Sequence, residues 1–141
     1  MIVVHCSATR EGCTLTSEAL EAEHRRRGFR TTGYHYYIRR DGTVLGTRSL
    51  ELPGAHCRGH NKYSIGICYE GGLDARGNPK DTRTPEQRSA LHLLVYQLLQ
   101  QFRNARVCGH RDLSPDLDGD GTVEPWEWVK QCPCFEVSKE F

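Results

Sequence analysis

The sequence lacks any long apolar run and any surplus of charge of one sign. No stretch approaches the roughly 20 consecutive apolar residues that a membrane-spanning helix needs, so we expect no membrane partner. Basic and acidic residues number 19 and 18, and the net charge of +1 leaves nothing with which to hold a polyanion. Nucleic acid is therefore not expected as a main partner.

The N-terminus also lacks the pattern of a secretion signal. Its apolar run is short, and its first basic residue, Arg10, follows that run instead of preceding it. The seven cysteines are odd in number and scattered, which without a leader peptide indicates reduced thiols in a protein made in the cytosol. At 141 residues the chain fits a single domain over 1–141 with its own core, and we expect a monomer.

Apolar periodicity, caps and turn residues predict an α/β (α+β) domain with a mixed sheet covered by helices. Thr16 and the box formed by Thr84 and Gln87 are helix N-caps. Asp41-Gly42 is a hairpin turn, and the polar stretch 74–83 is predicted as a surface loop. Helices are predicted over 16–27 and 84–102, and strands over 2–5, 34–39, 43–47, 64–69 and 106–108.

Two of the seven histidines stand out by position. His5 and His110 each lie at or just past the end of a short apolar strand, where a sheet delivers ligands to its edge. A thiolate from Cys132 or Cys134 would complete a tetrahedral zinc site with one position open for water, which is the catalytic arrangement. Spacing alone leaves open whether these residues meet, because they lie far apart in the chain.

The segment 116–127, DLDGDGTVEPWE, has the spacing of an EF-hand loop with Gly121 at its sharp turn. It predicts a structural calcium site, and the alternative is an acidic, glycine-rich surface turn. A calcium sensor is not expected, because an EF-hand needs a helix on each side and 109–115 is not helical in character. The calcium ligands would be Asp116, Asp118, Asp120, the carbonyl of Thr122 and Glu127.

Five motifs occur in a fixed order along nearly the whole chain: IVVHCSAT, GYHYYIRRDGTV, GAHCRGHNKYSIGIC, TPEQ and GHRD…KQCPCF. In this order they resemble the zinc N-acetylmuramoyl-L-alanine amidases, the family of amidase-type phage lysozymes and peptidoglycan recognition proteins. The resemblance implies a mixed central sheet with helices packed on it and a substrate groove over the zinc. It also implies hydrolysis of the amide between N-acetylmuramic acid and L-alanine of the stem peptide.

The resemblance assigns the zinc ligands residue by residue. His5 opens the His-x-Ser-x-Thr motif, and His110 stands in Gly-His-Arg-Asp. Cys132 fits the cysteine of Lys-x-Cys-Pro, since Lys130 precedes it by two residues and proline follows it. Cys134 stands where the pattern requires no thiol, so it ranks below Cys132 as a ligand.

The same comparison assigns roles around the metal. Tyr34 matches the tyrosine that hydrogen-bonds the attacking water, and strand alternation favours it over His35, since neighbouring side chains point to opposite faces. Lys130 matches the lysine that stabilises the oxyanion, and His56 matches a histidine that lines the groove. Without the family, Tyr34 would be read as a sheet aromatic and Lys130 as a solvated surface lysine.

Peptidoglycan is therefore the expected partner, and a non-catalytic peptidoglycan-binding module of the same fold is the main alternative. The presence of Tyr34, Lys130 and Cys132 favours the enzyme. A phage or prophage endolysin is expected, made in the cytoplasm and acting on the wall after release. A wall-recycling enzyme and a secreted effector are the alternatives. Segment 116–127 would be an insertion between the zinc ligands.

Overall fold

Seven strands and two α-helices make up the regular structure in the computed structural model, which describes residues 1–141. The strands are β1 (Ile2–Cys6), β2 (Thr9–Arg10), β3 (Tyr36–Ile38), β4 (Val44–Gly46), β5 (Ile65–Tyr69), β6 (Gly72–Leu73) and β7 (Val107–Gly109). The helices are α1 (Ser17–Arg26) and α2 (Pro85–Gln101), with four 3₁₀ turns at Asn61–Tyr63, Arg111–Leu113, Pro125–Glu127 and Val137–Lys139. Neither helix combines the length and apolar character that crossing a membrane requires.

The central sheet is mixed, as predicted, with strand order β4-β3-β5-β1-β7. β3, β5, β1 and β7 run parallel, and β4 pairs antiparallel with β3 across the turn at Gly42. Gly42 has φ +83°, a conformation that glycine adopts without the Cβ penalty of other residues. The uncharged strand β5 occupies the middle of the sheet, which confirms the prediction made from its composition.

Each face of the sheet packs against one helix. The apolar stripe of α2 covers the main core, in which Ile2 and Val4 of β1 meet Ile67 of β5. A smaller cluster on the other face joins Leu20 of α1 to Tyr37 and Cys68. The two faces are built by strand alternation, so neighbouring residues of β1 serve different faces.

The sequence did not predict a second sheet, and it misplaced the end of the loop 74–83. β2 and β6 form a two-stranded parallel sheet at the two glycines that follow β5. The loop is not a surface loop throughout, because Arg83 is only 6% exposed. Its guanidinium bonds Asp81 and Glu140 and lies 3.2 Å from the ring centroid of Phe135. Two carboxylates and an aromatic face offset the cost of burying this charge.

Candidate metal centre and groove

Three side chains that the sequence predicts as zinc ligands converge at one point. The ligand atoms of His5, His110 and Cys132 all lie within 4.8 Å of one another. Nδ1 of His5 lies 3.8 Å from Sγ of Cys132. Zinc bonds of about 2.0 Å to nitrogen and 2.3 Å to sulfur would set tetrahedral ligand atoms about 3.5 Å apart. The donor set therefore fits a zinc ion after a small contraction.

Strand topology brings the two histidines together. His5 lies near the end of β1, and His110 directly follows β7, the parallel neighbour of β1. The backbone amide of His110 continues this pairing by donating to the carbonyl of Val4 at 3.1 Å. The two imidazole rings lie 4.5 Å apart between centroids. Two residues that are distant in sequence thus become neighbours through one strand pair.

Cys132 reaches the histidines through backbone contacts of its own segment. The amide of Arg111, next to His110, donates to the carbonyl of Cys132 at 2.8 Å. The amide of Cys6, next to His5, donates to Sγ of Cys132 at 3.2 Å. The hydroxyl of Tyr69 donates to the carbonyl of Pro133 at 2.6 Å. The residue that follows each predicted histidine ligand therefore donates a backbone hydrogen bond to Cys132.

The surroundings keep both histidines neutral. Burial, followed by the neighbouring His110, lowers the pKa of His5, whose side chain is almost fully buried. Burial and the charge of Lys130 lower the pKa of His110 to about 4. A neutral imidazole offers the lone pair that a metal requires, so both rings are ready for binding near neutral pH.

His56 contacts a predicted ligand directly, a role that the sequence did not suggest. Its Nδ1 lies 2.9 Å from Nε2 of His5, and its Nε2 lies 3.3 Å from Oγ of Ser64. Its ring packs against Gly66, where any Cβ would clash with it at 2.5 Å. A hydrogen bond to the second nitrogen of a ligating histidine fixes the ring and its tautomer. Gly66 leaves room for the His56 ring, but the spacing of residues along the sequence does not reveal this contact.

An open groove of about 270 Å³ reaches two residues of the cluster, His110 and Cys132. Its lining includes Tyr34, His56, His110, Lys130 and Cys132, together with side chains from the end of α1. Tyr34 precedes β3 instead of lying within it, and its ring centroid is 5.0 Å from that of His5. A larger pocket of about 390 Å³ beside Met1 contains none of these residues. The predicted site residues Tyr34, His56, His110, Lys130 and Cys132 therefore line the smaller groove and not the larger pocket.

His35 does not reach the groove, in agreement with the preference for Tyr34. Its Nδ1 accepts from the amide of Gly66 at 3.0 Å, and its Nε2 lies 3.1 Å from the carbonyl of Leu52. His35 is fully buried and links two loops to the sheet. The reason differs from simple strand alternation, because regular pairing of β3 begins only at Tyr36.

The alternative thiol, Cys134, lies outside the ligand cluster. Its Sγ is 3.9 Å from Sγ of Cys6 and 3.3 Å from the carbonyl of Gly72. Cys6 belongs to the core cluster on the face opposite His5, as alternation along β1 predicts. The structure thus brings Cys132, not Cys134, to the two histidines.

The acidic loop 116–127 is closed by its own backbone. Asp116 accepts from the amides of Gly119 and Gly121, and these bonds lower the pKa of its carboxyl. Glu127 is buried and accepts from the amides of Leu117 and Glu124. Neither flank is an α-helix, since only the 3₁₀ turns Arg111–Leu113 and Pro125–Glu127 occur there. This confirms that the segment is not an EF-hand.

The predicted calcium ligands do not converge on one point. Asp116, Asp118 and Glu127 form one cluster of carboxylates, whereas Asp120 groups with Asp118 and Glu124 in another. The amide of Thr122 donates to Asp120 at 2.8 Å. The loop therefore offers two overlapping sets of oxygens, and the calcium site stays a prediction.

Comparison with known proteins agrees with this geometry. Residues 1–133 match the family model described as N-acetylmuramoyl-L-alanine amidase. An uncharacterized protein of Haemophilus influenzae is 47% identical over 97 residues, which cover 69% of this chain and 84% of that protein. The endolysin of Klebsiella phage KP32 is 36% identical over 138 residues, covering 98% of this chain and 82% of the phage protein.

A solved structure shows the same fold. The N-acetylmuramoyl-L-alanine amidase LysC from Clostridium intestinale URNW superposes with a TM-score of 0.76 at 27% identity. The match covers 99% of this chain and 79% of the clostridial chain. Because the family model spans nearly the whole chain and includes all three residues of the cluster, the chain belongs to the N-acetylmuramoyl-L-alanine amidase family.

Proposed function

We propose that this chain hydrolyses the amide bond between N-acetylmuramic acid and L-alanine in peptidoglycan, using one zinc ion held by His5, His110 and Cys132. The convergence of two imidazoles and one thiol beside an open groove, which His110 and Cys132 line, carries this proposal. Three protein ligands with a fourth position left for water or substrate are the arrangement of a catalytic zinc site. Family membership supports the choice of an amide bond in peptidoglycan.

Tyr34 and Lys130 would act beside the metal. Zinc, when bound, supplies a Lewis acid and lowers the pKa of water. Burial raises the pKa of Tyr34, so its hydroxyl keeps its proton at neutral pH and can donate a hydrogen bond within the groove. The Lys130 ammonium lines the same groove, and it can stabilise the negative charge that develops on the amide oxygen during attack.

A peptidoglycan-binding module without hydrolysis is the second candidate of the same fold. Its groove would need shape and hydrogen-bonding groups, but it would need neither a thiol beside two imidazoles nor a lysine lining the same groove. The three potential ligand atoms lie within 4.8 Å of one another, and Lys130 lines the adjacent groove. These residues favour the enzyme over the binding module.

Turbidity clearing of purified peptidoglycan tests the proposal. The zinc-loaded protein should clear the suspension, a strong chelator should abolish clearing, and added zinc should restore it. Binding to peptidoglycan should be measured on the same samples by sedimentation. Clearing that persists after the metal is removed would contradict the zinc proposal, whereas binding without clearing would favour the non-catalytic module.

Replacing His56 with alanine should weaken zinc binding by about 10- to 100-fold, because His5 loses the partner of its second nitrogen. The affinity can be measured by competition with a chromogenic zinc chelator. His92→Ala is the matched control, since His92 is half exposed on α2 and pairs with Glu140 at 3.4 Å. Equal zinc affinity in the two variants would exclude a positioning role for His56.

Calcium binding by the loop 116–127 stays a separate prediction. Calcium added to zinc-loaded, calcium-free protein should raise the melting temperature by an amount that grows with ion concentration, because only the folded loop binds. Asp116→Asn should remove the shift. Asp74→Asn is the control, since Asp74 also caps amides in an exposed turn but lies elsewhere. If calcium does not shift the melting temperature of the parent protein, the predicted calcium site is wrong.

We also propose that the protein acts as an endolysin, on the cell wall after release from the cytoplasm where it is made. The likeness to a phage endolysin over 98% of this chain supports this role. Expression in a bacterial host should lyse cells only when the membrane is permeabilised at the same time. Lysis without permeabilisation would point to export by another route.

A further inference from the structure

Two thiols that the proposed mechanism does not use lie side by side. Sγ of Cys6 and Sγ of Cys134 are 3.9 Å apart. Cys6 ends β1 directly after His5, and Cys134 follows Cys132 by two residues. Cys6 is 9% exposed, whereas Cys134 is more open to solvent. The pair therefore lies where the segment that carries His5 meets the segment that carries Cys132.

We propose that Cys6 and Cys134 form a disulfide when the protein enters an oxidising compartment. A disulfide needs its sulfurs about 2.05 Å apart, so the two side chains must together close the present gap by about 1.9 Å. Neither sulfur belongs to the cluster formed by His5, His110 and Cys132. Bond formation thus consumes none of the predicted metal ligands.

The reaction is thiol–disulfide exchange with a small disulfide such as oxidised glutathione. Cys134, the more exposed of the two thiols, loses its proton to solvent and attacks the reagent, which forms a mixed disulfide and expels one glutathione thiolate. Cys6 then attacks Cys134 and expels the second. The protein loses two hydrogen atoms, and oxidised glutathione is reduced to two molecules of the thiol. Because both cysteines are sheltered by the fold, we expect the exchange to take hours.

The bond would fasten the ligand-bearing segment to the sheet. It would close a loop from Cys6 to Cys134, nearly the whole chain, and so restrict the unfolded state strongly. The thiols stay reduced in a cytosol and pair in oxidising surroundings. Only this last point rests on the proposed function, since it assumes action outside the cytosol. The pairing itself does not depend on amidase activity.

The test treats the zinc-loaded full chain with oxidised glutathione for several hours and then blocks the remaining thiols. Mass spectrometry of an unreduced tryptic digest should show peptide 1–10 joined to peptide 131–139, and free thiols should fall from seven to five. The zinc content should not change. The melting temperature should rise by roughly 5 °C or more and return after reduction.

Two variants identify the partner, because peptide 131–139 contains both Cys132 and Cys134. Cys134→Ser should abolish the linked peptide and the thermal shift. Cys13→Ser, at an exposed thiol, should leave both unchanged. A link that survives in Cys134→Ser, loss of zinc on oxidation, or formation of glutathione adducts alone would overturn the proposal. None of these readouts measures amidase activity, so failure of the proposed function would be seen separately.

Discussion

Replacing Cys132 with serine is expected to remove zinc and to lower the amidase rate by about 10³-fold or more. Serine keeps a hydrogen-bond acceptor for the amide of Cys6, so the segment should stay in place. It removes the soft thiolate, and the two remaining histidines form an incomplete site. Zinc should be measured after gel filtration, and the rate should be measured on a purified muropeptide.

Cys134→Ser is the matched control for this experiment. Both cysteines lie in the same short segment and are partly exposed, but only Cys132 belongs to the cluster with the histidines. Cys134→Ser should therefore retain one zinc per chain and most of the activity under reducing conditions. If Cys134→Ser loses zinc while Cys132→Ser keeps it, the proposed ligand assignment is wrong.

Replacing Tyr34 with phenylalanine is expected to lower kcat by about 10²-fold without changing the zinc content. The substitution removes a hydroxyl that keeps its proton inside the groove, and it retains the ring that packs beside His5. Loss of a positioned proton donor or acceptor costs a factor of this size when it acts in the transition state. Initial rates at several substrate concentrations would separate kcat from KM.

Tyr63→Phe is the control, because Tyr63 is 72% exposed and lies outside the groove. Its kinetic constants should match those of the parent protein. A Tyr34→Phe variant that changes only KM would make Tyr34 a binding residue. Unchanged kcat and KM would indicate that Tyr34 serves only as a packed aromatic residue.

Most of the fold could be predicted because its signals are local. The capping box of Thr84 and Gln87 occurs as predicted, and Thr16 caps α1. The Asp41-Gly42 turn forms the antiparallel pair of β3 and β4. These features depend on residues within a few positions of one another. The boundaries of β3 were less accurate, since the strand spans only Tyr36–Ile38, and Tyr34 and His35 precede it.

The features that escaped prediction depend on distant contacts. Pairing of β2 with β6 joins Thr9 to Gly72, and glycine-rich segments carry little strand signal. Burial of Arg83 requires Glu140 from the end of the chain, which no local pattern reveals. The contact between His5 and His56 likewise joins β1 to a loop residue 51 positions further along the chain. Topology, not composition, creates each of these contacts.

In the candidate site, too, local signals could be predicted from the sequence and distant contacts could not. Their positions at strand ends indicated His5 and His110 as metal ligands, but the spacing of residues could not show that Cys132 lies beside them. The structure brings the three together through pairing of β1 with β7 and through the bond from Arg111 to the carbonyl of Cys132. In the acidic loop, the spacing could not reveal that Asp116 and Glu127 already serve backbone amides of the loop itself.

Product analysis with and without zinc tests the central proposal most directly. Metal-stripped protein, and the same sample after addition of one equivalent of zinc, should be incubated with a defined muropeptide and examined by mass spectrometry. We expect cleavage only with zinc, giving an intact sugar with a free lactyl carboxylate and an intact stem peptide whose L-alanine amine is newly exposed. Cleavage between sugars or between amino acids of the peptide, or equal cleavage by the stripped protein, would contradict the account.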